Sequence, residues 1–127
     1  MKTITVITAE PGYRAWELWG EEKRSYANYL GDVIAWVIEI EPNGDKPPYI
    51  YRYPVTLREA ANVEGIMVER HGRIYQPAGL DSGNEYENFE SWLRQRGGRV
   101  LREYSRLAQQ WYGLGEDWIE GDEDGIS

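Results

Sequence analysis

The sequence has no cysteine, a single histidine and no long hydrophobic run. Without cysteine the chain can form no disulfide and offers no thiolate for catalysis, for a zinc ribbon or for an iron–sulfur cluster. No stretch approaches the ~18 apolar residues of a membrane-spanning helix. The start, MKTITVITAE, alternates polar and apolar residues as a strand does, unlike a signal peptide. We therefore expect a cytoplasmic protein that does not enter a membrane and is stabilised by packing alone.

The short patterns that mark common catalytic and cofactor sites are missing as well. Neither a P-loop nor a GxGxxG or GxSxG pattern occurs in the chain. His71 falls in a predicted turn, where an exposed structural residue is more usual than a catalytic one. The many acids would allow a small enzyme that uses carboxylates, but nothing in the sequence selects a catalytic pair. We expect no cofactor, identify no catalytic residue and favour a non-enzymatic function.

The formal net charge is −8, and most of the excess lies near the end of the chain. Residues 107–127 contain six acids and no base, whereas residues 1–106 contain 16 acids and 14 bases. Negative charge opposes direct binding to nucleic acid or anionic lipid, because that binding relies on lysine and arginine. The length suits one core, so we predict a single domain over residues 1–113 and an acidic tail over 114–127.

The acidic tail has three interpretations. Asp122, Asp124 and Gly125 stand in the order of an EF-hand loop, but the sequence stops before the glutamate that such a loop needs, so we expect no metal site. A docking element for a basic protein surface would need acids held on an ordered scaffold, for which Trp118 and Ile119 are candidate anchors. The third interpretation, a solvated terminus, is the most common for such segments.

The tail also has a candidate partner within the chain. Arginines cluster in the preceding region, and the cluster is either an anion site or a set of internal partners for nearby acids. Opposite charges on adjacent segments favour internal pairing, which would include the tail if it folds back on Arg99 and Arg102. The members of the cluster are Arg94, Arg96, Arg99, Arg102 and Arg106.

Aromatic composition is the second bias, with 10 tyrosines and 6 tryptophans against one phenylalanine. Tyrosine and tryptophan are favoured where one end of the ring is packed and the other meets a polar group or water. The excess therefore indicates either an aromatic recognition surface or a small core whose rings reach its rim. The candidate aromatic contacts are Trp16, Trp19, Tyr49, Tyr51 and Tyr53.

Period-two alternation predicts strands over residues 2–9, 13–19, 32–41 and 49–55, with a turn or short helix over 20–29. Asn43-Gly44 predicts a turn, and Pro54 makes the strand after it an edge strand. A further hairpin is expected to turn at His71-Gly72.

Three helices are expected. Thr56 and Glu59 have capping-box spacing and predict a short helix to about Asn62. SGNE at 82–85 predicts a second, with Tyr86, Phe89 and Leu93 in one stripe and Gly97-Gly98 at its end. Apolar residues within one arc predict a third from Arg99 to Gly113. The elements together predict an α+β fold: a mainly antiparallel sheet of about five strands, with the two C-terminal helices packed on one face.

These features favour a small acidic inhibitor or modulator that docks on a basic, nucleic-acid-binding surface of a target protein. The combination also suits a protein encoded by a phage or other mobile element. The acidic contacts would be Asp117, Glu120, Asp122 and Asp124. A small-ligand module that stacks a sugar or nucleotide on tryptophan and tyrosine is the alternative, beside a small enzyme. The edge strand YIYRY offers a further route, pairing with its own copy in a homodimer.

Overall fold

In a computed structural model of the chain, the structure describes residues 1–21, 24–61, 65–75 and 85–120. Within these residues lie ten strands and two α-helices. The strands are β1 Thr3–Thr8, β2 Arg14–Glu21, β3 Arg24–Asp32, β4 Ala35–Asn43, β5 Lys46–Val55, β6 Ile66–Arg70, β7 Arg73–Tyr75, β8 Glu85–Tyr86, β9 Gly98–Leu101 and β10 Ile119–Glu120. The helices are α1 Phe89–Arg96 and α2 Ser105–Tyr112, with short 3₁₀ turns at Arg102–Tyr104 and Glu116–Trp118.

The strands form two sheets. The small sheet has the order β1-β4-β5 and is antiparallel throughout. The large sheet has the order β10-β9-β3-β2-β6-β7-β8 and is antiparallel except where β9 pairs with β3 and β10. The predicted α+β class, the mostly antiparallel pairing and the C-terminal helices are confirmed. The strands divide between two sheets, whereas the sequence indicated one sheet of about five.

Two hydrophobic clusters pack on opposite faces of the large sheet. Consecutive residues of β2 and β6 alternate between the clusters, as side chains on a pleated strand must. The first cluster contains Trp16 and Met67 and is closed by α1 through Phe89 and Trp92 and by α2. The second contains Ala15 and Ile66 and is closed by Trp36 of the small sheet. The large sheet therefore lies between the helices and one end of the small sheet.

Both hairpins form where turns were predicted, although the first turn lies one residue later than the predicted Asn43-Gly44. β4 and β5 are joined by a two-residue turn at Gly44-Asp45, and Asn43 is paired with Lys46. β6 and β7 turn at His71 and Gly72, whose φ angles are 54° and 82°. Two successive positive φ angles match the twist of a tight hairpin. β5, which carries Pro54, lies at the edge of the small sheet.

The prediction of a turn or short helix over residues 20–29 was wrong, because residues 24–29 belong to strand β3. β3 lies inside the large sheet between β2 and β9. Ala27 packs in the first cluster and Leu30 in the second, so both faces of the strand are covered. A strand covered on both faces shows no clear polar and apolar alternation, which explains the error.

The short middle helix is also absent from residues 57–61. The Thr56 hydroxyl donates to the carbonyl oxygen of Arg58 at 2.6 Å. It therefore does not cap a helix by accepting from a backbone N–H, as the capping-box prediction required. Asn62, the expected helix end, lies outside the described residues.

Helix α1 begins later than predicted. Its cap is Asn88, whose side chain accepts from the Ser91 backbone N–H at 2.8 Å, and Tyr86 belongs to strand β8. Residues 82–84 of the predicted cap lie outside the described part. The helix ends at Gly97 with φ 66°, as predicted.

The third predicted helix begins as a strand. Residues Gly98–Leu101 form β9, and α2 starts only at Ser105, before ending at Gly113 with φ 64° as predicted. Gly98 lets this strand approach the core closely, since a Cβ there would lie 2.7 Å from Leu18 Cδ2. Val100 is fully buried between β3 and β10, so pairing with both neighbours replaces the helical turn. Neither α1 nor α2 is long and apolar enough to cross a membrane, and the same holds for every helix in the described residues.

Candidate functional site

The small sheet and the residues directly beside it hold the exposed large apolar side chains of the described residues. This set comprises Met1, Ile4, Val6, Ile7, Ile34, Ile40, Tyr49, Ile50 and Leu57. They lie on both faces of the sheet, with Ile4, Val6 and Tyr49 on one and Ile7, Ile40 and Ile50 on the other. Exposed apolar side chains concentrated in one region of a folded protein usually mark a contact site. The small sheet is therefore the first candidate for a functional surface.

Strand register places the three predicted tyrosines on one face of this sheet. Val37 of β4 pairs with Val6 of β1 on one side and with Tyr53 of β5 on the other. Glu39 of β4 pairs in the same way with Ile4 and Tyr51. The rings of Tyr49 and Tyr51 have centroids 6.5 Å apart. We call this surface the tyrosine face and define it by Ile4, Val6, Val37, Tyr49, Tyr51 and Tyr53.

The charges on the tyrosine face are partly balanced within it. Lys2 Nζ lies 3.6 Å from Glu39 Oε2. Burial, followed by the neighbouring Glu39 carboxylate, raises the pKa of Tyr53. The Tyr53 phenol therefore stays protonated at neutral pH and can donate a hydrogen bond.

The opposite face of the small sheet attaches it to the rest of the protein. Trp36 is buried there and meets the edge of the Tyr13 ring, with centroids 5.5 Å apart. The Arg52 guanidinium lies 4.4 Å from the centre of the Trp36 ring. Farther along this face Ile40 and Ile50 are exposed. Trp36 thus anchors one end of the sheet and leaves the other end projecting.

Trp16, predicted to be an aromatic contact, is a core residue. Its side chain is 0% exposed and packs against Tyr29 and Phe89 with ring centroids 5.0 Å away in each case. Its indole N–H donates to the Tyr112 hydroxyl at 3.1 Å. Because helices α1 and α2 cover this face of the large sheet, Trp16 presents no surface to a partner. The backbone of Trp19 forms part of β2, but its side chain is not among the described parts of the structure.

A buried polar network surrounds Trp16 and was not predicted from the sequence. Arg14 Nη1 lies 3.2 Å from Glu69 Oε1, and the Arg14 guanidinium lies 3.9 Å from the Trp111 ring centre. The Glu69 carboxylate also lies close enough to the Tyr112 hydroxyl to raise the pKa of Tyr112. Glu69 falls in the inward-facing row of β6 with Met67, so alternation in IMVER was the signal that could have revealed it. The network satisfies the polar groups of an otherwise apolar layer.

Two carboxylates are buried in the described residues, Glu17 and Glu69. Glu17 accepts from the Asn28 side chain at 3.0 Å. Alternation along β2 places Glu17 on the face opposite Trp16, whereas Glu69 bonds Arg14 on the Trp16 face. A carboxylate pair for acid–base chemistry must flank one substrate, so these two residues do not form such a pair.

Alkaline pH should destabilise the protein through Tyr112. Burial, together with the nearby Glu69 carboxylate, raises the pKa of Tyr112 above its ordinary value of 10.0. Above pH 10 the unfolded chain releases this proton while the folded protein retains it. Stability present below pH 10 is therefore lost as the pH rises, by about 1 kcal/mol per pH unit for this group.

Urea unfolding at pH 8, 10 and 11 checks this expectation, with Tyr112→Phe as the control. The wild type should lose about 1 kcal/mol more than Tyr112→Phe between pH 10 and pH 11. Equal losses in the two proteins would show that the Tyr112 proton is not linked to folding.

The first part of the acid-rich segment packs on the domain. Ile119 is buried, and the Trp118 indole N–H donates to Glu90 Oε1 at 2.8 Å. Arg102 Nη1 lies 2.5 Å from Glu116 Oε1, and the Arg99 guanidinium lies 5.0 Å from the Trp118 ring centre. This part of the tail therefore folds back on Arg99 and Arg102 and is anchored by Trp118 and Ile119, as expected, while residues 121–127 lie outside the described residues.

The predicted acidic contacts are placed only in part. Asp117 is exposed in the 3₁₀ turn, and Glu120 belongs to β10 through its backbone. The Glu120 side chain, Asp122 and Asp124 lie outside the described part. Among the described residues, no three His, Asp or Glu side chains are grouped as metal ligands would be.

Two cavities adjoin these features. One, of about 370 Å³, lies where the row of tyrosines ends, between the two sheets, and is lined by residues that include Leu30, Tyr53, Val55, Arg58, Ala60 and Ile66. The other, of about 350 Å³, lies beside the helices and is lined by residues that include Gly72, Asn88, Phe89, Glu90, Trp111 and Tyr112.

Comparison with known proteins adds no relative. No family model, curated protein or solved structure matches this chain. Functional inference therefore rests on the surface chemistry described above.

Proposed function

We propose that this protein is a protein-binding module that docks on its partner through the tyrosine face and modulates that partner. The observation that carries the proposal is the row of three tyrosines beside exposed Ile4 and Val6 on one face of the small sheet. Such exposure costs solubility unless a partner covers it.

The chemistry of the tyrosine face suits a protein partner. Tyrosine combines a large apolar ring with a hydroxyl that bonds at a wet rim, and it is enriched among residues that dominate binding energy. The side chains are carried by three paired strands, so little backbone freedom is lost on binding. A small ligand would need a concave site that encloses it, whereas the tyrosine face is an extended sheet surface of the kind that another protein can cover.

The acid-rich segment supports the further proposal that the partner has a basic surface, as an inhibitor of a nucleic-acid-binding protein would require. Trp118 and Ile119 hold the segment against the domain, and Asp117 is exposed beside them. Acids on an ordered scaffold attract a basic surface more strongly than a freely moving run of acids. Homodimerisation through β5 is the competing use of the small sheet.

The experiment compares two matched substitutions on opposite faces of the small sheet. Val6 is 64% exposed on the tyrosine face, and Ile50 is 57% exposed on the opposite face. Partners captured from a lysate of the source cell by immobilised wild-type protein are identified by mass spectrometry and purified. Their affinities are then measured by calorimetry for the wild type, Val6→Asp and Ile50→Asp.

Val6→Asp should weaken partner binding at least about tenfold, because a carboxylate would be buried without a partner, and Ile50→Asp should leave it within about twofold. Equal affinities for all three proteins would reject the tyrosine face as the binding site. A variant ending at Glu120 tests the acids in the same assay. It is preferable to a chain ending at Gly113, since Leu114 and Ile119 are buried. If this variant binds the partner more weakly than the wild type and the difference disappears in high salt, the result would support the basic-surface proposal.

A further inference from the structure

The cavity of about 370 Å³ borders the end of the tyrosine face. Tyr53 and Val55 line it and fall in the row of β5 that also carries Tyr49 and Tyr51, while Pro54 lines it from the row of the opposite face. Its floor is formed by Leu30 and Ile66, both buried in the second cluster. We call this space the end cavity.

We propose that the end cavity receives one uncharged apolar side chain, aliphatic or aromatic, from the protein that docks on the tyrosine face. This inference rests on the proposed function and names the anchor that the partner must supply. Interfaces commonly concentrate their binding energy where an apolar side chain of one protein fills a pocket of the other, within a rim that excludes water.

The size of the end cavity admits a side chain as the occupant. Its volume of about 370 Å³ lies at the small end of the range of pockets that hold small molecules. It borders a surface on which a partner would already be docked, so a side chain can enter without the cost of binding a separate molecule.

The polarity of the lining favours an uncharged occupant. Arg58 stands at the rim, but its guanidinium already donates to the Tyr29 carbonyl at 2.8 Å and to the Tyr104 hydroxyl. Glu59 lines the same cavity, so charges of both signs border it. A charged side chain placed on the apolar floor formed by Leu30 and Ile66 would lose hydration, and neither residue offers it a polar partner.

The test uses amino-acid amides as probes and needs no partner protein. ¹⁵N-labelled full-length protein is titrated with N-acetyl-leucinamide and N-acetyl-phenylalaninamide, and separately with the lysine and aspartate amides, and amide resonances are followed by NMR. The uncharged apolar probes should shift the resonances of Leu30, Val55, Ala60 and Ile66, and the charged probes should not. Absence of these shifts, or equal shifts with charged probes, would overturn the inference.

Cavity-filling substitutions provide the second arm. Ala60 lines the end cavity, whereas its neighbour Ala61 is exposed and does not. Ala60→Leu should lower probe affinity at least about tenfold, and Ala61→Leu should change it by less than about twofold. Unchanged probe binding in Ala60→Leu would count against the end cavity. If circular dichroism shows that Ala60→Leu is unfolded, Ala60→Val is a smaller replacement.

Partner binding separates failure of this inference from failure of the proposed function. If Val6→Asp loses the partner while Ala60→Leu retains it, the tyrosine face is the docking surface and the end cavity is not used. If Val6→Asp retains the partner, the proposed function fails and this inference fails with it. Loss of the partner in both variants, with Ala61→Leu unaffected, supports both.

Discussion

Replacing Trp16 by alanine should lower the free energy of unfolding by about 3–5 kcal/mol. The side chain is fully buried against Tyr29 and Phe89, and removing it leaves a cavity between the large sheet and the helices. Tyr112 also loses the indole N–H that it accepts from. Urea unfolding followed by far-UV circular dichroism at pH 7 measures the difference.

Tyr49→Ala is the control for this measurement, because Tyr49 is an exposed aromatic residue on the small sheet. Its substitution should change the free energy of unfolding by less than about 1 kcal/mol. A Trp16→Ala protein as stable as Tyr49→Ala would contradict the core position of Trp16. It would also restore Trp16 as a candidate contact.

Glu69→Ala should have the second largest effect, lowering the free energy of unfolding by about 2–4 kcal/mol. The Glu69 side chain is only 3% exposed and binds Arg14 at 3.2 Å. Its removal leaves the Arg14 guanidinium without its carboxylate partner. The Arg14 side chain is 31% exposed, so water can reach it and the expected loss stays below that of a fully buried charge.

Glu10→Ala is a matched control for burial. Glu10 pairs with Arg70 at 3.0 Å, but its side chain is 72% exposed. Exposed ion pairs contribute about 0–1 kcal/mol, so this substitution should change stability little in the same urea experiment. Similar losses in the two variants would mean that burial does not determine the strength of the Glu69 interaction.

The features that could be predicted from sequence are those with a local cause. Alternation over residues 49–55 and the edge-strand preference of Pro54 predicted the tyrosine row and its place at the edge of a sheet. The hairpin turn at His71 and Gly72 was predicted because a two-residue turn requires positive φ angles, which both residues adopt. Gly97 and Gly113 end their helices for the same conformational reason.

The errors fall on segments whose conformation depends on distant neighbours. Val100 and Leu101 fit the apolar arc of a helix, yet β9 is a strand because β3 and β10 both pair with it. β3 showed no clear alternation because the helices cover one of its faces and the small sheet packs on the other. A partner that is distant along the chain, such as Ala27 of β3 opposite Val100 of β9, leaves no periodic signal of its own in such short segments.

The sequence by itself determined which residues share a face of a strand, where several turns and helix ends lie, and how the charge is distributed. Only the tertiary structure decided which faces are covered. Trp16 and Tyr51 are both aromatic residues on predicted strands, but α1 and α2 pack over Trp16, whereas Tyr51 lies on the projecting small sheet. Alternation sorts side chains between two faces, but burial depends on which other element packs on each face, and that is settled by long-range contacts.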